Sequence, residues 1–271
     1  MEFIPRDPFS TTSIWVKEDL EAFRDLAARP LPASVRVLKV VEYDFRPGSA
    51  YHDFFFPCLF ALRRVEVLHM GMMGFQAVLP DDVLQHILSL DTLEDIQTSN
   101  TSDDLLRCFK RMRGTVPTFR LRRYTTVASN LDICSEILTR IDVSRLQSIH
   151  IQIISQFCAS DVENFFRVIE SRCSPSVLRE ITIVIGTGRV SDSSTDQVPT
   201  TWGTPMATMN TLRPLFSFAH LEQLCIDQRG ITGLVFPFAS DYDSLEIFRE
   251  SCPKMRSMRL VGRPLEIYGM A

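Results

Sequence analysis

Leu221-Glu222-Gln223-Leu224-Cys225-Ile226 carries apolar residues at its first, fourth and sixth positions, and this phrase recurs along the chain. Met255-Arg256-Ser257-Met258-Arg259-Leu260 is the next copy. Leu146-x-x-Ile149-x-Ile151 and Leu178-x-x-Ile181-x-Ile183 come before it. Earlier still are Val35-x-x-Leu38-x-Val40, Val65-x-x-Leu68-x-Met70, the less clean Leu93-x-x-Ile96-x-Thr98, and Val116-x-x-Phe119-x-Leu121, the least regular of the set. The starts of these eight copies are separated by 30, 28, 23, 30, 32, 43 and 34 residues. A near-constant period marks a repeat architecture, in which each unit buries its apolar side against its neighbours.

Between the copies the apolar spacing becomes helical. Ser160 to Glu170 places Val162, Phe165, Phe166 and Ile169 on one face, and Ser160 followed by Glu163 reads as a capping box. Asp103 to Met112 aligns Leu105, Leu106, Phe109 and Met112. Shorter stripes are Leu20 with Phe23, Leu84 with Ile87 and Leu88, Ile133 with Ile137 and Leu138, and Leu245 with Phe248. Strand and helix therefore alternate about eight times.

Two architectures alternate in this way, a doubly wound α/β sheet and a leucine-rich-repeat horseshoe. The fifth position of the phrase separates them. Strands covered by helices on both faces need near-continuous apolar residues. The fifth residues are Lys39, His69, Gln97, Arg120, His150, Thr182, Cys225 and Arg259, of which only Cys225 is nonpolar. One sheet face is thus expected to meet water. The expected fold is an irregular α/β leucine-rich-repeat solenoid, a right-handed horseshoe with parallel strands on the concave face and helices on the convex face. The ninth position, where the standard repeat has Asn, is never Asn here, so irregular curvature is expected.

Residues 1–32 read as an N-terminal lead with one capping helix, and residues 33–271 as the solenoid. Gly186 to Asn210, rich in Ser, Thr, Asp, Pro and Gly, reads as a loop insertion that stretches the period. Val261 to Ala271 is too short for a capping helix, which leaves an open solenoid end.

Composition narrows the function classes. The chain has 271 residues, 45% of them hydrophobic, and a net charge of −4, so a phosphate-backbone-binding surface has no compositional support. Met1 to Pro5 lacks a basic, apolar leader, and the apolar run from Phe54 to Leu62 is short and broken by Pro57. Seven scattered cysteines without a Cys-x-x-Cys pair imply reduced thiols in a cytoplasmic or nuclear protein, Cys134 and Cys225 packing as small hydrophobes. Neither nucleic acid nor membrane is an expected partner.

Catalytic patterns are not met. Gly186-Thr187-Gly188-Arg189-Val190-Ser191 has Ser191 in place of the third glycine and leads into a polar stretch rather than a helix. There is no Gly-x-Ser-x-Gly elbow and no His-Glu-x-x-His. His69 and His150 fall three repeats apart, about 14 Å at a strand spacing of about 4.8 Å, too far to share a metal. No cofactor and no enzymatic activity are expected. An acidic run, from Asp81 to Asp104, is followed by a basic run, from Arg107 to Arg123. The two are expected to compensate each other across neighbouring repeats. A sharper reading places Arg120 and Arg122 on the open side of the fourth strand, facing an acidic or phosphorylated peptide.

Side chains alternate along a strand, so flanking odd positions share the open face. The partner-binding candidates are Lys39, His69, Gln97, Arg120, Arg122, His150, Gln152, Thr182, Gln223, Asp227 and Arg259. A wide mixed-charge surface of this kind suits a protein or peptide rather than a small molecule.

One segment resembles a known family. Thr211 to Ile226, with its Leu212-x-Pro214-Leu215-x-x-Phe218 lead before the strand, is similar to a segment of mushroom-type (basidiomycete) fungal F-box proteins. Asp243 to Leu260 matches the helix and strand that follow, with Cys252 where the family usually has Trp. The close match covers about 50 residues, and the rest agrees in rhythm. The resemblance implies the substrate-binding repeat region of an F-box-like ubiquitin-ligase adaptor, with a cullin-ligase linker subunit as a further partner if an F-box exists. Residues 1–31 do not resemble an F-box. Leu79 to Leu88 looks like an F-box opening but falls in phase with the repeats and reads as a repeat helix. The alternative is a structural or assembly scaffold without a ubiquitin link.

Overall fold

Burial along the phrase follows the spacing that defines it. The computed structural model describes residues 13–16, 35–40, 59–60, 62–70, 81–98, 102–111, 116, 118, 120–154, 159–186, 207–229, 238–239, 242–260 and 263–265. The chain divides into two units, Met1–Thr126 with Thr139–Val143, and Val127–Leu138 with Ser144–Ala271.

In the first unit, strands β1 (Ser13–Val16), β2 (Val37–Val40), β3 (Val67–Met70) and β4 (Asp95–Thr98) lie parallel in chain order, and the first half of β5 (Arg123–Ala128) continues the sheet beside β4. Helix α1 (Asp81–Leu88) connects β3 to β4, and α2 (Ser102–Arg111) connects β4 to β5. Val83, Leu84, Ile87 and Leu88 of α1 and Leu106 and Phe109 of α2 are buried, as their spacing requires. Residues 81–88 of the stretch resembling an F-box opening form α1, and Leu79 and Pro80 lie outside the described residues. Helix α3 (Leu131–Arg140), which follows β5 and belongs as far as Leu138 to the second unit, buries Cys134, Ile137 and Leu138.

In the second unit, β6 (Ser148–Ile153), β7 (Glu180–Gly186), β9 (Gln223–Arg229) and β11 (Ser257–Leu260) form the parallel run. Helix α4 (Ala159–Arg172) connects β6 to β7 and buries Val162, Phe165, Phe166 and Ile169. A short helix α5 (Met209–Leu212) and a 3-10 turn (Arg213–Ser217) precede β9, and helix α6 (Tyr242–Ser251) precedes β11. Two short strands, β8 (Ala207–Thr208) and β10 (Phe238–Ala239), pair separately.

Each unit is thus α/β, with parallel strands and connecting helices. All eight first positions and all eight fourth positions of the phrase, in the register given below, are buried. The described sixth positions, Thr98, Thr126, Ile151, Ile183, Ile226 and Leu260, are buried too. Every described fifth position is half-buried or exposed. This alternation buries one sheet face under the helices and leaves the other open.

Five expectations need correction. The fourth copy is not Val116 to Leu121. Asp95 pairs with Arg123 and Ile96 with Tyr124, so the copy is Leu121-x-x-Tyr124-x-Thr126, and the intervals on either side become 28 and 25 residues. Aromatic and hydroxyl residues hid it. The buried Thr126 is tolerated because its Oγ1 and that of Thr98, the neighbouring sixth position, lie 2.6 Å apart and share a hydrogen bond. Val116 instead forms an isolated parallel bridge with Ile141 at the end of α3.

The N-terminal lead contributes a strand, β1, paired in parallel with β2; the helix expected around Leu20 and Phe23 lies outside the described residues. Ser160 is inside α4, which begins at Ala159, so it is not the cap of a capping box. Residues 207–210 of the expected insertion belong to β8 and α5, while 187–206 lie outside the described residues. After β11 the chain turns back as β12 (Arg263–Leu265), an antiparallel strand that occupies an edge expected to be open.

Replacing Ile181, fully buried at a fourth position, by alanine should cost about 2–5 kcal/mol. Replacing its half-buried neighbour Thr182 should cost about 0.5 kcal/mol or less. Urea-unfolding midpoints of the two variants measure the difference, and equal losses would contradict the one-sided burial.

Candidate functional site

Register turns the fifth position into rows. In the second unit His150, Thr182, Cys225 and Arg259 are aligned across β6, β7, β9 and β11. One row earlier come Ser148, Glu180, Gln223 and Ser257, and one row later Gln152, Val184 and Asp227. Among the expected contact residues the row geometry brings together His150, Gln152, Thr182, Gln223, Asp227 and Arg259. Arg259 reaches diagonally to Asp227, Nη1 to Oδ2, at 3.5 Å. The row chemistry is mixed: an imidazole, hydroxyls, amides, a thiol, one cation, two carboxylates and one buried aliphatic, Val184.

In the first unit Lys39, His69, Gln97 and Thr125 form the equivalent row. His69 and Gln97 are half-buried; the side chain of Lys39 lies outside the described residues. The row before it contains Val37, Val67, Asp95 and Arg123. Asp95 is only 3% exposed although it belongs to the open side. Its Oδ2 accepts from Gln97 Nε2 at 3.0 Å and pairs with Arg123 Nε at 3.2 Å. Its Oδ1 is buried without a hydrogen-bond partner.

The corrected register moves two expected contact residues. Thr125, not Arg120, is the fifth residue of this repeat, and Arg120 is exposed in the turn before Leu121. Arg122 is a second-position residue, 3.9 Å from Glu94 Oε1. Neither is on the open face of β5. The guanidinium at an open-face position is Arg123, one residue past the pair singled out by the hexad spacing. The expected compensation between the acidic and basic runs holds at Glu94 with Arg122 and at Asp95 with Arg123.

A second ladder was not anticipated. The second positions are Arg36, Glu66, Glu94, Arg122, Gln147, Arg179, Glu222 and Arg256, charged in seven of eight repeats. Arg36 lies 3.4 Å from Glu66, and Glu222 takes Arg179 at 2.7 Å and Arg256 at 3.5 Å. Most of these side chains are well exposed, so the pairs contribute little stability. They do mark the rim of the open face at the start of the strands. The signal was legible in the charges, but reading the fourth copy from Val116 put Pro117 in the row and broke it.

The cysteines divide by environment. Cys134, Cys173 and Cys252 are buried, whereas Cys225 is half-buried in the open row rather than packed as a small hydrophobe. Cys252 Sγ lies 3.6 Å from Leu215 O, to which the thiol donates, joining α6 to the 3-10 turn before β9. Phe216 and Phe248 pack edge to face beside it, centroids 5.5 Å apart. Burial pushes the Cys252 thiol up to about 11. Burial also pushes the Cys173 thiol up to about 12, the positive charge of Arg172 opposing it only in part. Neutral thiols of this kind are poor nucleophiles. Among the described residues no group of three His, Cys, Asp or Glu is arranged to hold a metal, and no helix is long and apolar enough to cross a membrane.

The two raised thiols have a consequence at alkaline pH. An unfolded thiol titrates at its ordinary value of 9.0, so above that pH the unfolded chain binds fewer protons than the native one. Stability should therefore fall as pH rises from 9 toward about 11 for Cys252 and about 12 for Cys173. Urea unfolding across this range should show a shallower fall in Cys173→Ala and Cys252→Ala than in the parent chain. Identical slopes would contradict the burial argument.

No protein-family model matches the chain, and no curated protein matches it.

Proposed function

We propose that the chain is a protein-recognition scaffold that binds a protein or peptide through the open face of its sheet. In this reading the α/β units form an irregular leucine-rich-repeat horseshoe, the open face is concave and the helices are convex. The observation that carries the proposal is the alternation itself: among the described residues, a row of half-buried and exposed fifth residues, in register, above fourth and sixth residues that are buried. Wide mixed polar rows offer many separate hydrogen-bonding and charged contacts, which fits an extended macromolecular partner better than a small ligand. The scaffold is non-enzymatic, and it works in the cytoplasm or nucleus.

Its role is the substrate-binding region of an F-box-like ubiquitin-ligase adaptor. The likeness of Thr211 to Leu260 to mushroom-type fungal F-box proteins supports this role. Packing of that segment supports it too: Pro214, Leu215 and Phe218 of the lead are buried, and Cys252 fills the family's Trp position against Leu215.

Incorporation of a photo-crosslinking amino acid tests the binding face. At Thr182, on the open row, it should trap a partner in cells; at Glu170, exposed on α4, it should not. Adducts at Glu170 and none at Thr182 would overturn the proposal. Co-purification separates the roles: recovery of the cullin-ligase linker subunit supports the adaptor, and its absence leaves a scaffold without a ubiquitin link.

A further inference from the structure

We infer that the rim at the start of β3, β4 and β5 is a docking site for an acidic peptide segment, rich in Asp and Glu. The inference rests on the protein-recognition reading and adds the chemistry of the partner.

Several charges along this rim are already paired. Glu66 is paired with Arg36, Glu94 with Arg122, and Asp95 with Arg123. Arg64 and Arg120 are exposed, and their side chains make no ion pair or hydrogen bond among the described residues. Both hold the position immediately before the first residue of their repeats, Val65 and Leu121. They are therefore two strands apart along the rim, about 10 Å. Asp91, exposed in the turn before Leu93, offsets part of the excess and leaves the rim basic.

Arg123 adds a third, oriented cation. Asp95 Oδ2 holds its Nε at 3.2 Å. The Arg123 side chain is 63% exposed, whereas that of Asp95 is 4% exposed. Burying a carboxylate with one oxygen lacking a hydrogen bond costs stability, so its benefit lies in fixing the guanidinium above it. An exposed guanidinium fixed in this way is suited to capture of a further carboxylate.

Spacing decides the kind of anion. Arg120 lies in the turn before Leu121 and Arg123 is the first residue of β5, so the two guanidiniums arise from different parts of the rim. A single phosphate needs converging cations, which these are not. Side chains on one side of an extended peptide repeat every two residues, about 7 Å, so separate single charges along such a chain can engage separate guanidiniums.

Fluorescence anisotropy of a labelled deca-glutamate peptide with the full chain tests this. The peptide should bind, with affinity falling at least tenfold between about 0.05 M and 0.5 M NaCl. The Arg64→Gln/Arg120→Gln double variant, which leaves the Asp95 pair intact, should weaken binding about tenfold, and adding Arg123→Gln should weaken it further. Arg145→Gln/Arg256→Gln, in the other unit, should leave it unchanged. No binding, equal loss in both double variants, or displacement of the peptide by low-millimolar inorganic phosphate would overturn the inference. None of these outcomes alters the crosslinking pattern at Thr182 and Glu170, so the broader reading stands or falls separately.

Discussion

The carbonyl of the second residue in a repeat accepts two N–H groups from the next, and the rest of the arrangement depends on that bond pair. Arg36 O takes Glu66 N at 2.7 Å and Val67 N at 3.1 Å; Glu66 O takes Glu94 N and Asp95 N; Glu94 O takes Arg122 N and Arg123 N. Gln147 O, Arg179 O and Glu222 O repeat the pattern in the second unit. The shared carbonyl pins adjacent strands at their first residues, so the period-two alternation is in phase across each sheet. The apolar first, fourth and sixth residues then fall together under the helices. A slip of one residue would expose all of them and bury the polar row, which is why the register is so strongly specified.

This constraint explains what was legible in the sequence. Apolar residues at three of six positions revealed six of the eight copies, and Leu93 with Ile96 revealed a seventh, because burial on one face demands them. The helical stripes were equally plain, from Leu84, Ile87 and Leu88 to Val162, Phe165, Phe166 and Ile169. The fourth copy escaped because Tyr124 and Thr126 are buried without being aliphatic; the Thr98–Thr126 hydrogen bond is a tertiary fact with no local spacing signature. The strand at Ser13–Val16 escaped because it is short and its context is a neighbouring strand rather than its own pattern. Element ends were harder still: the hydroxyl of Ser160 promised a cap, yet the helix had already begun.

The open face was legible in outline and misplaced in detail. Polar fifth residues announced it, and His69, Gln97, His150, Thr182 and Arg259 lie where alternation puts them. Arg120 and Arg122 inherited the error of the fourth copy. The Asp95–Arg123 pair could not be foreseen, since a buried acid on a water-facing side contradicts the rule that located the face. Cys225, the nonpolar exception in the row, proves half-buried and in register with Thr182 and Arg259, so the row is continuous through it. Cys252, by contrast, is fully buried and bonded to Leu215 O, which gives it a packing role.

Cysteine scanning along β6 tests the one-sided sheet most directly. Single cysteines at Ser148, Ile149, His150, Ile151 and Gln152, in a background whose half-buried Cys225 is replaced by serine, can be timed against a maleimide in the native state. The open-face account predicts fast labelling at 148, 150 and 152 and slow labelling at 149 and 151, with the contrast lost in urea. Uniform labelling across the strand, or faster reaction at 149 and 151, would contradict it.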